Sequence, residues 1–439
     1  MKTFAAVALV GRPASVGLFL LLNFFQVAEF VHKMPNISNH AVINIVVSLS
    51  IFAAALRVWM GNRRTAIPAA ELYQSFVPTA RVVVLIAYGW TVFHKLNADF
   101  FYYPVSAASL QYRMLAARIH RNIGLGFPPT ADWALITIVI LTIAIEASVV
   151  LLLTFRSTRL AGIAVALAFH FVLGVNEFAD FAAFLYALMF LFTPENFLAV
   201  VRARLHGLEH LLAPIKRRFE AMRIPGSWWA LAAICVGVAV TGNSWDHTYM
   251  AFRVLWIFYG LAVNLLFLTV LTTWWGRAPR FDELARPSPW FLVFPIITLV
   301  NGASPYLGLK TRSCFAMFSN LRTELRWEGD RSNHFLVPSS IKIAGFQEDL
   351  VWVVESSDPR LAEIAKNEEF CTFFEFRRHI SEAAQKGIRN IRVTYVRHGV
   401  QRSLSNAETD PELSRRHPFL LRKLLTFSDV SDGRQRSRH

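Results

Sequence analysis

Nine apolar runs are the feature that most limits how this chain can fold. A helix that crosses the hydrocarbon core of a bilayer needs about 20 apolar residues, and each run is close to that length. The runs are residues 14–31, 41–59, 81–101, 132–154, 159–176, 179–198, 227–242, 252–275 and 289–308. The last run is the weakest, because prolines and polar residues interrupt it. The sequence therefore predicts an all-α polytopic membrane bundle with about nine transmembrane helices, or eight if the last run does not cross.

The composition excludes several other classes of protein. Of the 439 residues, 54% are hydrophobic and 17% are charged, whereas soluble domains carry about 25% charged residues. The three cysteines have no paired spacing, so neither a disulfide framework nor a zinc ribbon is predicted. His206 and His210 have the spacing of two metal ligands on one helix face. Because no second histidine cluster accompanies them, we expect no metal site.

The net charge of +15 indicates orientation rather than nucleic-acid binding. Lysine and arginine concentrate in alternate loops, which by the positive-inside rule face the cytoplasm together with the N-terminus. These loops would also contact anionic lipid headgroups. With nine spans the C-terminal tail lies outside, in the periplasm of a bacterial cell, and with eight it lies inside. The basic segment 102–131 breaks the pattern and is predicted to be an interfacial helix on the outer leaflet or a lid over a cavity between spans.

The chain changes character near residue 310, where charges of both signs return. Alternating β-rich runs occupy residues 333–338, 340–346, 350–355 and 390–397, and a stretch with helical spacing occupies residues 373–386. This pattern predicts a small α+β extramembrane domain at 310–430 after a transmembrane domain at 1–309. Residues 431–439 are expected to form a disordered basic end.

Lys95 is the most conspicuous charged residue within the apolar runs. Tyr88, Thr91 and Lys95 recur at helical spacing and would share one face of the third span, with His94 and Asn97 near its end. One interpretation is that Lys95 extends to the interface and has no chemical role. The other is that a partly desolvated lysine gives up its proton and acts as a base.

The next two spans also carry ionisable residues. Glu146 follows Thr142 by one helical turn, and its depth predicts that it is paired or protonated. His170 lies near the middle of the fifth span, and Glu177 continues its face. A single histidine on an apolar helix usually serves packing. Ionisable groups on three consecutive spans, however, make a functional site with Lys95 a real alternative.

Three basic residues stand where the chain leaves the last apolar run: Lys310, Arg312 and Arg322. They could bind an anionic headgroup or the carboxylate of a substrate, with Asn320 and Asn333 nearby. They could also anchor the small domain to the bilayer, which is the interpretation we favour.

Residues 87–100 (AYGWTVFHKLNADF) resemble the lysine-containing helix of the HTTM membrane domain, the domain found in vitamin K-dependent gamma-carboxylase. The order that follows also resembles this family: an acidic residue in the next span, an arginine loop at 154–159, Phe169-His170, and Leu-Phe-Thr-Pro at 191–194. Residues 305–311, 317–324 and 333–338 resemble bacterial members. The resemblance implies a bacterial inner-membrane protein in which Lys95 is the base and a reduced quinone is the cofactor.

The chain departs from the carboxylases at specific positions. They have a lysine pair where this chain has His94-Lys95, an aspartate at the position of Asn97, and a much larger peptide-binding domain than the tail after residue 309. Peptide carboxylation is therefore not expected. A related lyase or oxygenase chemistry on a lipid-soluble substrate is compatible with the sequence.

Two functions follow from these observations. In the first, Lys95 deprotonates a quinol or a similar lipophilic acid, while His170 and Glu146 relay or orient the proton. In the second, the protein is a non-enzymatic scaffold or assembly factor for a membrane protein partner. Transport is less favoured, because the sequence contains no inverted repeats.

Overall fold

The described part of the chain forms two compact units. The computed structural model describes residues 2–62, 66–124, 129–194, 196–206, 245–274, 287–324, 332–337 and 343–431. The first unit contains Met1–Ala28, Asn44–Leu85 and Ile145–Pro295, and the second contains Glu29–Ile43, Ile86–Ala144 and Ile296–His439.

Helices account for most of the described chain. Before the sheet they are α1 (Lys2–Gly11), α2 (Val16–Lys33), α3 (Asn39–Gly61), α4 (Ala69–His94), α5 (Ala98–Phe101), α6 (Ala107–Ile123), α7 (Asp132–Thr154), α8 (Arg159–Leu173), α9 (Ala179–Phe190), α10 (Phe197–His206), α11 (Trp245–Trp274) and α12 (Val293–Ala303). A π-helical segment, Gly174–Phe178, joins α8 to α9, and a 3₁₀ turn, Pro289–Phe291, precedes α12.

Six described helical segments are long and apolar enough to cross a membrane. They are Val16–Lys33, Asn39–Gly61, Ala69–His94, Asp132–Thr154, Arg156–Asn176 and Arg253–Leu271, and they are compatible with an integral membrane protein. The expected nine spans are not confirmed. The runs at 179–198 and 289–308 contain only shorter apolar helices, and the run at 227–242 lies outside the described residues.

The third span ends earlier than its hydropathy predicts. Helix α4 stops at His94, so the predicted boundary of 81–101 was wrong at both ends. The Asn97 side chain explains the stop, because its amide donates to the His94 carbonyl (2.7 Å) and its oxygen accepts from the Phe100 amide (2.9 Å). Asn97 thereby closes the end of α4 and caps the start of α5. Lys95 lies in the turn between the two helices.

The basic segment after α5 forms a helix, as expected. Helix α6 ends at Gly124, whose φ of +74° gives a left-handed C-terminal cap. Phe100 and Ala107 pack against Val139 of α7. The position of α6 at a membrane interface stays a prediction.

Helices α8, α9 and α11 pack closely in the first unit. The indole nitrogen of Trp256 donates to the Phe171 carbonyl (3.1 Å). Gly174 leaves room for this indole, since a Cβ there would lie 2.2 Å from the Trp256 nitrogen. Asn264 donates to the Tyr186 hydroxyl (2.7 Å), which donates in turn to the Leu167 carbonyl (2.8 Å). Polar groups on these apolar helices are therefore paired within the unit.

The C-terminal residues form a small antiparallel sheet with helices. Its elements are β1 (Leu350–Ser356), α13 (Pro359–Lys366), β2 (Glu369–Thr372), α14 (Phe373–Gln385), β3 (Val393–Arg397), β4 (Val400–Leu404), α15 (Phe419–Leu424) and β5 (Val430–Ser431). The strand order is β4-β3-β1-β2-β5. Val353 pairs with Tyr395 across β1 and β3, and both belong to a buried core with Phe376 of α14.

The sequence predicted this sheet in part. Strands at 350–355 and within 390–397, and the helix at 373–386, are confirmed. The strand expected at 333–338 is wrong, because in its described part, residues 333–337, only His334 makes a β-bridge, to Asn97. Residues 343–346, the described end of the run at 340–346, form no strand. The basic end after residue 431 lies outside the described residues.

Candidate functional site

Lys95 is a buried lysine in the turn that follows α4. Only 3% of its surface is exposed. Its ammonium nitrogen lies 3.4 Å from the Thr91 carbonyl oxygen and 5.9 Å from the centre of the Phe100 ring. Tyr88 is also buried, and its carbonyl accepts from the Thr91 hydroxyl (2.8 Å). Lys95 thus reaches back to α4 from beyond its end, and a shared role of Tyr88, Thr91 and Lys95 stays a prediction.

His94, the residue before Lys95, contacts the end of α12 and the segment that follows it. The His94 Nε2 lies 3.0 Å from the Gly302 carbonyl, and since a carbonyl can only accept, this nitrogen carries the proton. The His94 ring centre lies 5.6 Å from that of Tyr306. Gly302 is required for this approach, because a Cβ there would lie 2.1 Å from the Trp90 ring. Residues more than 200 positions apart are thereby joined.

The His334 ring packs against the rings of Phe93 and Tyr306, and its tautomer is defined by its hydrogen bonds. Its Nδ1 accepts from the backbone amides of Leu336 (3.2 Å) and Val337 (3.1 Å), so its Nε2 donates to the Phe93 carbonyl (2.8 Å). Burial lowers the pKa of His334, opposed by the Phe93 carbonyl. A neutral, fully paired imidazole of this kind is a structural element.

Asn97 has a structural role as well. Besides its bonds to His94 and Phe100, its amide donates to the Ser319 carbonyl (2.6 Å) and its oxygen accepts from Asn333 (3.3 Å). Asn333 also donates to the Asn320 carbonyl (2.8 Å). Every polar atom of Asn97 is used, so this side chain fixes the turn that holds Lys95.

Two of the predicted anion contacts already have carboxylate partners. Arg322 lies 2.7 Å from Asp99, and both side chains are largely buried. Arg312 lies 3.6 Å from Asp429. A headgroup contact through either residue stays a prediction, and it would have to compete with these ion pairs.

Lys310 belongs to a set of polar residues around a buried thiol, which we call the Cys314 cluster: Tyr306, Lys310, Cys314 and Glu324. Burial raises the pKa of the Cys314 thiol to about 11, with the charge of Lys310 opposing the rise and that of Glu324 adding to it. Burial lowers the pKa of Lys310. Cys314 also lies within electrostatic range of Tyr306. The thiol is therefore protonated at neutral pH and lies among three polar groups.

Two atoms of the Cys314 cluster have no hydrogen-bond partner in the described chain. They are the hydroxyl oxygen of Tyr306 and one carboxylate oxygen, Oε1, of Glu324. The two residues are only 7% and 4% exposed. Because leaving a buried polar atom unpaired costs about 1–3 kcal/mol, these atoms mark a place that a polar ligand could occupy.

Glu146 and His170 lie in the first unit, whereas Lys95 lies in the second. Both are buried. His170 Nδ1 donates to the Ala166 carbonyl (2.7 Å), so this ring nitrogen carries a proton. The backbone of Glu177 belongs to the π-helical segment, and its side chain lies outside the described residues. A common site of these residues with Lys95 stays a prediction.

No protein-family model, no curated protein sequence and no solved structure matches this chain. Within the described ranges no group of three or more histidine, cysteine, aspartate or glutamate side chains could hold a metal ion. His210 and the side chain of His206 lie outside those ranges.

The sequence did not point to Tyr306, Cys314, Glu324 or His334 as members of a site. Each is an ordinary residue in its local context, and more than 200 positions separate them from Lys95. No spacing pattern within one helix or loop could have linked them. Only the packing of the segment after α12 against the end of α4 brings them together.

Proposed function

We propose that this protein is an integral membrane enzyme in which Lys95 is a base towards a lipid-soluble acid of the quinol type. One observation carries the proposal: a buried lysine directly follows His94, and the His94 ring contacts Tyr306, a member of a cluster in which two buried polar atoms lack partners.

The surroundings of Lys95 suit proton transfer. The base role requires Lys95 to meet the substrate as a neutral amine. Such an amine takes the proton of a substrate O–H group and leaves an oxyanion. The ammonium formed is stabilised by the Thr91 carbonyl and the Phe100 ring.

The Cys314 cluster suits recognition of the polar end of such a molecule. Lys310 and the Tyr306 hydroxyl can donate to an oxygen, and the open oxygen of Glu324 can accept from a hydroxyl. A quinol offers both acceptor oxygens and hydroxyl donors. The donor set therefore fits the reduced quinone that the HTTM resemblance implies.

Thermal unfolding in lipid nanodiscs tests this proposal without a known reaction. Under anaerobic conditions a short-chain naphthoquinol is expected to raise the melting temperature of the wild type, since a ligand at 100-fold its Kd stabilises by about 2.7 kcal/mol. Lys95→Met and Tyr306→Phe are expected to weaken this shift. Lys366→Met, at an exposed lysine of α13, is the matched control and is expected to retain it.

The doubly O-methylated quinol controls for simple partitioning into lipid, because it lacks the acidic proton and is expected to give no shift. Equal shifts for the quinol and its ether would contradict the proposal. Co-purification of a stoichiometric membrane protein, combined with no quinol effect, would favour the scaffold or assembly factor instead.

A further inference from the structure

Helix α15 carries an apolar surface that the C-terminal domain does not cover. Phe419, Leu420 and Leu424 are 63%, 67% and 51% exposed. Leu421 and Leu425, in contrast, pack towards Phe374 and Phe427 in the domain core. The sequence FLLRKLL therefore has two apolar sides, and the domain uses only one of them.

Lys423 fixes α15 to the end of a candidate membrane span. Its ammonium donates to the carbonyls of Val31 (3.2 Å), His32 (3.0 Å) and Met34 (3.0 Å). Val31 and His32 lie in the last turn of α2, whose carbonyls lack intrahelical partners, and Met34 directly follows the helix. Helix α2 is one of the six segments long and apolar enough to cross a membrane. Helix α15 consequently lies at the level where α2 leaves the hydrocarbon.

Basic residues surround the uncovered apolar side chains. Arg415 and Arg416 are exposed just before α15, and Arg422 lies within it. The nearest preceding acidic residue, Glu412, is already bound by Arg397 and Arg402. An apolar surface flanked by arginines is the pattern of a segment that lies in the interface of an anionic bilayer.

We propose that α15 is an interfacial membrane anchor of the C-terminal domain: Phe419, Leu420 and Leu424 insert among acyl chains, and Arg415, Arg416 and Arg422 bind anionic headgroups. This inference is independent of the proposed enzyme function. Lys423 joins the anchor to α2, so the domain is held to the bilayer at one defined place.

A fluorescent label at Leu420 tests the proposal in the full-length protein. Leu420→Cys, with Cys235 replaced by serine, is labelled with an environment-sensitive dye; Cys314 and Cys371 are fully buried. The comparison site is Ile388, which is 45% exposed beyond the end of α14. It lies about 16 Å or more along α14 from Phe374, which stacks on His417 near the anchor.

Both proteins are reconstituted into phosphatidylcholine vesicles with or without phosphatidylglycerol, in which the acyl chains are brominated. Bromine is expected to reduce the emission of the Leu420 label by about twofold or more, and to leave the Ile388 label largely unaffected. Bromine is expected to quench the Leu420 label more strongly in vesicles that contain phosphatidylglycerol, because the arginines bind its anionic headgroup.

Two results would overturn the anchor. If aqueous iodide quenches the Leu420 label and brominated lipid does not, α15 faces water. If neither reagent quenches it, protein covers the surface. The triple variant Phe419→Ser, Leu420→Ser, Leu424→Ser keeps Leu421, Leu425 and Lys423, and is expected to raise amide exchange in α15 several-fold while the sheet stays protected.

Discussion

At the scale of single residues, the polar side chains near Lys95 fall into two groups. The polar atoms of Asn97, Asn333 and His334 form hydrogen bonds with backbone and side-chain partners. Their role is therefore to hold the turn that contains Lys95. Tyr306 and Glu324 each keep one buried atom without a partner, so they are suited to binding. The predicted polar residue Asn97 belongs to the first group, whereas neither member of the second group was predicted from the sequence.

Replacement of Asn97 by alanine is expected to destabilise the protein strongly. The substitution leaves the His94 and Ser319 carbonyls and the Phe100 amide without a partner, which should lower the free energy of unfolding by about 2–4 kcal/mol. Denaturant unfolding in nanodiscs measures this. Asn367→Ala, at an exposed asparagine after α13, is the control and should change stability by less than about 0.5 kcal/mol. Equal effects of the two substitutions would disprove the structural role.

Tyr306→Phe should behave in the opposite way. The substitution keeps the ring that contacts His94 and removes a buried hydroxyl without a partner, so the ligand-free protein is expected to gain up to about 1–2 kcal/mol. The same substitution should weaken quinol binding. A loss of stability in the absence of ligand would indicate that the hydroxyl is paired and is not available to a substrate.

His379 is expected to make the C-terminal domain sensitive to acid. Burial lowers its pKa from 6.5 to about 4, and Arg378, Arg360 and Arg312 contribute while Asp358 opposes the shift. Because the unfolded chain takes up the proton near pH 6.5 and the folded domain only near 4, stability falls as the pH falls through this window.

The pH dependence of the melting temperature between pH 7 and 4 measures this effect. His379→Gln should flatten part of the slope relative to the wild type. An unchanged slope in His379→Gln would contradict the assignment.

At the scale of elements, hydropathy found the long helices but not all of their ends. The apolar runs at 132–154 and 159–176 match α7 and α8 with its π-helical extension closely, because both ends depend on local composition. The end of α4 does not match its apolar run, since the capping residue Asn97 determines it together with contacts from the distant residues Gly302 and Asn333. Short strand β2 was missed because its four residues run directly into α14 at the Thr372 cap.

The contact between α12 and α4 depends on a glycine. In Gly302→Ala the new Cβ would meet the Trp90 ring at 2.1 Å, so the helix or the indole must move. Overpacking of this kind costs about 1–3 kcal/mol. Gly89→Ala, one residue before Trp90, meets no atom within 4 Å and should be neutral or slightly stabilising. Thermal unfolding of the two variants measures this difference. An unchanged melting temperature in both Gly302→Ala and Gly89→Ala would contradict the close packing of α12 against Trp90.

At the scale of the whole molecule, the described chain is mostly helical with a small antiparallel sheet near its C-terminus, while the predicted domain boundary at 309/310 stays a prediction. The sequence could not reveal that the segment of Lys95 packs against residues after 300. The relation of Glu146 and His170 to Lys95 stays a prediction. The bonds from Lys423 to the end of α2 add one constraint, because they require the C-terminal domain to lie on the side where α2 ends.

Sidedness can be tested with reporters. The positive-inside rule predicts a cytoplasmic N-terminus. If α2 crosses the bilayer, its end and the C-terminal domain are expected on the periplasmic side. Alkaline phosphatase fused after the C-terminal domain should be active, and green fluorescent protein fused to the N-terminus should fluoresce. A fluorescent C-terminal fusion with an inactive phosphatase would contradict this orientation.

The most direct test of the central claim is the ionisation state of a bound quinol. The ultraviolet absorbance of a naphthoquinol bound anaerobically to the protein in nanodiscs distinguishes the neutral form from the anion. The wild type is expected to hold the anion at neutral pH. Lys95→Arg keeps a positive charge but cannot accept a proton, and should hold the neutral form. Identical spectra for the wild type and Lys95→Arg would contradict the base role of Lys95.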